Sequence, residues 1–220
     1  MPPRGGPPAP APAGKESSLT LDRGLALLQA VADAETDAPT ISDLAETIGA
    51  SRAAVYRLLV PLQARGLVRR DGSRVRLGLG LLQLAASVAP QLRSAALPAL
   101  RSLAEQVGAT AHLTVADGDE AQAIAVVEPS WTAYHMAYRA GTRHSLDRGA
   151  AGRAIELTPG ESWVLSSGEL QPAANGLAAP VLGVPGLRAS VGVVTFEDLN
   201  AEEVGPWVVA AAAAVTKALA

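Results

Sequence analysis

The chain contains no cysteine. Disulfides, thiolate zinc sites, iron–sulfur clusters and cysteine nucleophiles are excluded together. Aromatic residues make up only 3% of the 220 residues and charged residues 18%, below the usual quarter. No apolar run reaches the roughly 18–20 residues that a membrane-spanning helix needs. The Pro/Ala-rich start lacks the hydrophobic stretch of a secretory signal, so a cytoplasmic protein that does not engage a membrane is expected. The three histidines, His112, His135 and His144, show no i,i+3 or i,i+4 pairing, so no metal site is expected. Ser166-Ser167 has no G-x-S-x-G elbow around it, and no nucleophile stands beside a base. Neither an enzyme nor a cofactor is therefore expected.

What is present is apolar mass, 49% of residues, enough to bury one large core or two small ones. The net charge of −3 argues by itself against a nucleic-acid partner. Its distribution reverses that argument. Between Ser51 and Arg93 stand eight arginines (52, 57, 65, 69, 70, 74, 76 and 93) and a single acid, Asp71. From Ser94 onward the balance is acidic. A basic segment followed by an acidic half implies a division of labour.

Residues 1–18 read as a disordered arm. Leu21, Leu25, Leu28 and Ala32 recur at helical spacing and predict a first helix with that face inward. Thr40 and Asp43 form a T-x-x-D capping box ahead of Ile41, Leu44, Ala45 and Ile48. Gly49 supplies a turn, and Ser51 caps a third helix carrying Val55, Leu58, Leu59 and Leu62 inward. Pro61 is expected to bend that helix. A hairpin follows, turning at Asp71-Gly72. Its return strand, Arg74-Val75-Arg76-Leu77, alternates cationic and apolar residues. Helix, small-residue crossing, glycine turn, helix and basic hairpin together make a winged helix-turn-helix over 19–79.

Such a domain inserts the start of its third helix into the DNA major groove. Ser51, Arg52, Ala53, Tyr56 and Arg57 occupy that start, with Thr40 at the cap of the preceding helix. Arginine there can bond guanine bidentately or clamp phosphate. Arg69, Arg70, Arg74 and Arg76 on the hairpin can neutralise backbone charge or enter a minor groove. The alternative is a module that uses the winged helix to dock a protein partner. Its partner would have to be strongly acidic.

A linker helix is expected over 80–91, closed by Pro90, with a further helix near 97–107. The region 92–220 reads as an antiparallel α+β domain. Hairpins are expected over Thr110–Glu128 and Gly176–Phe196, with a strand at Ala133–Arg139 and a short helix at 149–157. Asn200 with Glu203 caps a final Ala-rich helix. Trp131, Tyr134 and Tyr138 could line an aromatic pocket or simply pack. Arg139, Arg143 and Arg148 with His144 read either as an anion site or as ion-pair partners of Asp147 and Glu156.

The run ISDLAETIGASRAAVYRLLVPLQARGLVRR…VRLGLGLLQLA, the opening SLTLDRGLALLQAV and the segment AGTRHSLDRGAAGRAIEL at 140–157 resemble the isocitrate lyase regulator (IclR) family of bacterial transcription factors. The resemblance implies an N-terminal winged helix-turn-helix domain, a linker helix and a C-terminal GAF-like antiparallel sheet with flanking helices. It implies a homodimer or homotetramer on a double-stranded DNA operator, often as a repressor. It also implies an effector pocket at positions matching Met136, His144, Ala150, Ala151, Ala174, Gly176, Val193 and Thr195. Backbone amides beside such small residues would suit a small organic acid. This chain departs from the family pattern in two places. Arg148 enters the small-residue run, and only Thr158-Pro159-Gly160 stands where the family has a long helix, so one pocket wall is expected to be missing.

Overall fold

A computed structural model describes residues 18–34, 37–132, 136, 138–158 and 160–220. The arm expected over 1–18 therefore lies outside the described residues except for Ser18, as do Tyr134 and His135. Two compact units divide at Ala86/Ser87.

In the first unit, α1 (Leu19–Asp33), α2 (Ile41–Thr47) and α3 (Arg52–Ala64) precede a hairpin of β1 (Val68–Asp71) and β2 (Arg74–Leu77). Leu27, Val31, Ile41, Leu44, Val55, Leu59, Val68 and Val75 form its core. α1 departs from expectation. Leu27 and Val31 are buried, whereas Leu21 and Leu25 are 60% and 55% exposed. The helix carries two apolar stripes side by side, and periodicity alone does not say which one the other helices cover.

α2 starts with the expected reciprocal cap: the Asp43 amide donates to Thr40 Oγ1, and the Thr40 amide donates to the Asp43 carboxylate. These bonds hold the Asp43 carboxyl below its ordinary range. Gly49 takes φ +59° between α2 and α3, a conformation that costs a side-chain-bearing residue energy. α3 continues through Pro61 to Ala64. The hairpin turn is one residue later than expected. Asp71 pairs with Arg74, so Gly72-Ser73 forms the turn. Gly72 has φ +59° and Ser73 is not left-handed, the pattern of a type II′ turn.

The predicted break at Pro90 does not occur. A single helix, α4, runs Gly80–Val107 with Pro90 and Pro98 inside it. Each proline removes one amide donor. Burial of Ala96, Leu100, Leu103 and Ala104 against the second unit's core outweighs that loss, as packing generally overrides propensity.

The second unit contains one six-stranded antiparallel sheet, ordered β5-β4-β3-β8-β7-β6. The strands are β3 (Thr110–Asp117), β4 (Glu120–Val127), β5 (Arg143–Ser145), β6 (Val164–Ser167), β7 (Asn175–Val181) and β8 (Ala189–Thr195). One face, with Leu113, Leu177, Val191 and Val193, packs on α4 and on α6 (Ala201–Leu219). The opposite face meets the short α5 (Gly149–Ile155) through Ala150, Ala154 and Ala178. β5 was not foreseen. The strand expected at Ala133–Arg139 falls partly outside the described residues, and Met136, Tyr138 and Arg139 lie in no strand. Asn200 sits at the N-cap of α6, but its side chain makes no capping bond. Described residues between α5 and β6 form no helix, in line with the shortened connection.

Gly78 tests the packing of the first unit. A Cβ there would stand 2.0 Å from the Gly66 carbonyl oxygen. Gly78→Ala should therefore destabilise that unit by more than the roughly 2–5 kcal/mol expected for Leu27→Ala. Urea unfolding followed by circular dichroism checks the order of the two effects.

Candidate functional site

The first unit presents its cations on a fixed frame. Ser51 caps α3 by accepting a hydrogen bond from the Ala54 amide at 3.2 Å. This sets the direction in which Arg52, Ala53, Tyr56 and Arg57 leave the helix, and all four are exposed. The hairpin is stitched to the α1–α2 connection. The Ile41 amide donates to the Ser73 carbonyl and the Val75 amide to the Pro39 carbonyl.

The four hairpin arginines separate into distinct roles. Arg69 and Arg76 are directly opposed across the strands and share one face. Arg70 lies on the other face, and its guanidinium sits 5.0 Å from the centre of the Tyr56 ring, a cation–π distance. The same guanidinium donates to the Gly72 carbonyl. Arg70 thus links the wing to the exposed face of α3. Arg74 differs from the sequence reading. Its guanidinium donates to the Ala38 carbonyl at 2.6 Å, making it a clamp that positions the wing. Thr40 likewise spends its hydroxyl oxygen on the α2 cap, and it bridges to Arg74.

Arg52, Arg57, Arg69 and Arg76 have no carboxylate partner among the described residues. In the second unit three of the arginines have carboxylate partners, while Arg93 donates to the Ile124 carbonyl. Arg143 is held by Asp117 and Glu120, both at 2.7 Å, Arg153 by Glu169 at 2.9 Å, and Arg188 by Glu156. The acids expected to pair with the 139–148 arginines were Asp147 and Glu156. Sheet pairing brings Asp117 and Glu120 to Arg143 instead.

The second unit contains a cavity of about 500 Å³ on the α5 side of the sheet. Six of the eight expected residues line it: Met136, His144, Ala150, Ala151, Ala174 and Gly176. Val193 and Thr195 do not. Side chains alternate along β8, so Val193 enters the core with α4 and α6 while Val194 faces the cavity. Thr195 borders a smaller cleft beside α6. The lining residues His112, Tyr138, Arg143, Arg148, Ser166 and Glu169 were not foreseen as a set. Sheet pairing and loop closure assemble them from distant parts of the chain. Trp131 is elsewhere, its indole donating to the Glu105 carbonyl.

Two amides at the start of α5 are already occupied within the protein. The Gly149 amide donates to the Glu169 carboxylate at 2.8 Å and the Ala150 amide to Ser166 Oγ at 2.9 Å. Arg148 donates to the Glu169 carbonyl. Ser166 is thus a structural acceptor on β6. The described residues hold no group of three or more metal-ligating side chains, and no helix among them is long and apolar enough to cross a membrane.

His112 is buried, with Nδ1 3.1 Å from Thr114 Oγ1 and its ring 5.1 Å from that of Tyr138. Desolvation, helped by His144, lowers its pKa to about 4. Burial pushes the Tyr138 phenol up.

Two family models match the chain: the IclR helix-turn-helix domain over residues 20–72 and the bacterial transcriptional regulator IclR C-terminal domain over residues 85–162. Curated relatives include the HTH-type transcriptional regulator BhcR of Paracoccus denitrificans, 32% identical over 61% of this chain and 49% of that protein. The HTH-type transcriptional repressor AllR of Escherichia coli is 27% identical over 74% of this chain and 61% of its own. The chain thus spans about half to three-fifths of the curated relatives it matches. Among solved structures, an IclR homologue complexed with 4-hydroxybenzoate from Microbacterium hydrocarbonoxydans superposes with a TM-score of 0.51 at 19% identity, covering 91% of this chain and 98% of that one. That likeness shows the fold.

The neutral, buried His112 generates a pH prediction. Its folded pKa lies below the ordinary 6.5, so the unfolded chain binds the proton first. Stability should be complete above about pH 6.5 and fall as the pH drops toward 4, by on the order of 3 kcal/mol. Urea unfolding across that range should show a steeper loss for the native chain than for His112→Gln.

Proposed function

The chain belongs to the IclR family of bacterial transcriptional regulators, and on that premise we propose that it is a sequence-specific DNA-binding regulator acting as a repressor in the cytoplasm. The unpaired arginines of the first unit carry this reading. Arg52 and Arg57 at the exposed start of α3, and Arg69 and Arg76 on the hairpin, have no carboxylate partner among the described residues, and cations clustered on the elements that face a duplex in a winged helix support an external polyanion as partner. α3 enters the major groove of an operator half-site, with Arg52, Arg57 and Tyr56 toward the duplex. Arg69 and Arg76 grip phosphate, Arg70 holds Tyr56, and Arg74 and Thr40 keep wing and helix in register.

The chain works as a homodimer or homotetramer. The outward stripe of Leu21 and Leu25 on α1, and Leu82 and Val88 on α4, are exposed apolar surface of the kind that marks association. The cavity of the second unit takes a small organic effector, and the ligand shifts the population of two states that differ in operator affinity. Chemistry on the effector is not proposed, since the curated relatives are regulators.

Duplexes selected from genomic fragments of the source organism provide the test. Titration at several salt concentrations should give a log–log slope of about −3 to −4 per chain if all four unpaired arginines meet phosphate. A slope near zero would remove the proposal. Arg57→Ala should weaken binding by about 1–3 kcal/mol and relax one base preference if Arg57 reads a base. An unchanged affinity and base preference would take Arg57 off the interface.

A further inference from the structure

Side chains alternate along the two strands of the wing, so its arginines part company. Arg69 and Arg76 share one face and have no hydrogen-bond or ion-pair partner among the described residues. Arg70 stands on the other face, directly opposite the buried Val75. Its guanidinium carbon lies 5.0 Å from the centre of the Tyr56 ring, and a nitrogen of the same group donates to the Gly72 carbonyl at 3.0 Å. The cation is therefore engaged twice within the protein, once on α3 and once at the wing's own turn. To take a phosphate it would have to leave the ring.

Tyr56 is the side chain that this contact shapes. It is 46% exposed on α3, one turn after Arg52 and beside Arg57. An exposed tyrosine with nothing over its ring exchanges among staggered rotamers within nanoseconds. A guanidinium on the ring face favours the rotamer that keeps the ring beneath it. The hydroxyl is left over: Tyr56 makes no hydrogen bond among the described residues. Tyrosine is one of the side chains that donate to DNA phosphate, and it has no place in the bidentate pairings that read base edges. The adjacent cation also favours an anion at that hydroxyl.

Resting on the reading that α3 enters the major groove of an operator, we infer that Tyr56 donates its hydroxyl to one backbone phosphate and that Arg70 is its positioning residue, acting through the ring and not on DNA. The wing then serves the duplex in two ways. Arg69 and Arg76 meet it directly, and Arg70 fixes the angle at which a side chain of the neighbouring helix meets it.

The test uses the full chain on a duplex selected from genomic fragments, with single methylphosphonate substitutions stepped through the half-site and with salt titrations. The native chain should lose about tenfold in affinity at one phosphate where Tyr56→Phe loses nothing, and Tyr56→Phe should itself bind the unmodified duplex about tenfold more weakly. Arg70→Met should bind about fivefold more weakly, become insensitive at that same phosphate and stay sensitive at all the others. Its salt slope should fall by far less than the roughly 0.9 that a lost phosphate contact removes. Arg70→Lys keeps the charge but not the planar contact, and it should behave like Arg70→Met. The double variant should bind within about twofold of Tyr56→Phe alone. A slope lowered by about 0.9, native affinity in Arg70→Lys, or effects that multiply in the double variant would make Arg70 a direct phosphate contact. Sensitivity lost at several phosphates in both Arg70 variants would mean a loosened wing, and no phosphate separating Tyr56→Phe from the native chain would leave the hydroxyl without a partner. Any of these overturns the inference and leaves the operator reading standing. A native chain that binds no duplex at any salt concentration would overturn both.

Discussion

An arginine without a counter-charge, held where water and ions can reach it, is the constraint from which the rest of this structure follows. Arg69 and Arg76 face each other across a two-stranded ladder, an arrangement that is repulsive in itself. What holds it is apolar. Val68 and Val75 are 2% and 0% exposed, and two backbone bonds tie the hairpin to the 39–41 segment. The apolar frame keeps the two cations in register against that repulsion. Arg74 shows the same frame from the other side, since the clamp it makes on Ala38 keeps its neighbours pointing outward.

The second unit answers a different demand. Its sheet has two faces because side chains alternate along each strand. One face is closed by α4 and α6 with aliphatic packing. The other carries His112, Gly192 and Gly176, and the space that the glycines leave is shared between the His112 ring and the cavity. A Cβ on Gly192 would come within 2.8 Å of His112, so the neutral histidine is seated by the absence of a side chain opposite it. Arg143, Arg153 and Arg188 are matched by acids here, while Arg148 in the cavity wall donates to a backbone carbonyl.

Membership of the IclR family is carried by both units, but at unequal depth. The helix-turn-helix residues sit within a few turns of one another in sequence, so their arrangement follows from local rules. The cavity is built from β3, β5, α5, β6, β7 and β8 with the loops between them, and small shifts in pairing change its lining. The amides of Gly149 and Ala150 show how much this matters: they are taken by Glu169 and Ser166 from the segment that follows α5.

The sequence by itself determined the order of helices in the first unit, the reciprocal cap at Thr40 and Asp43, the hairpins of the second unit and the segregation of charge. Each of these depends on residues close together in the chain, where propensity, capping and alternation act directly. Tertiary structure alone decided which stripe of α1 is buried, that α4 runs unbroken past Pro90, that Arg74 is a clamp, and that Val194 in place of Val193 meets the cavity. Those outcomes hinge on what a face packs against, and such partners lie far along the chain. Burial of Leu100 and Leu103 outweighs two prolines, and a carbonyl at Ala38 captures an arginine thirty-six residues away.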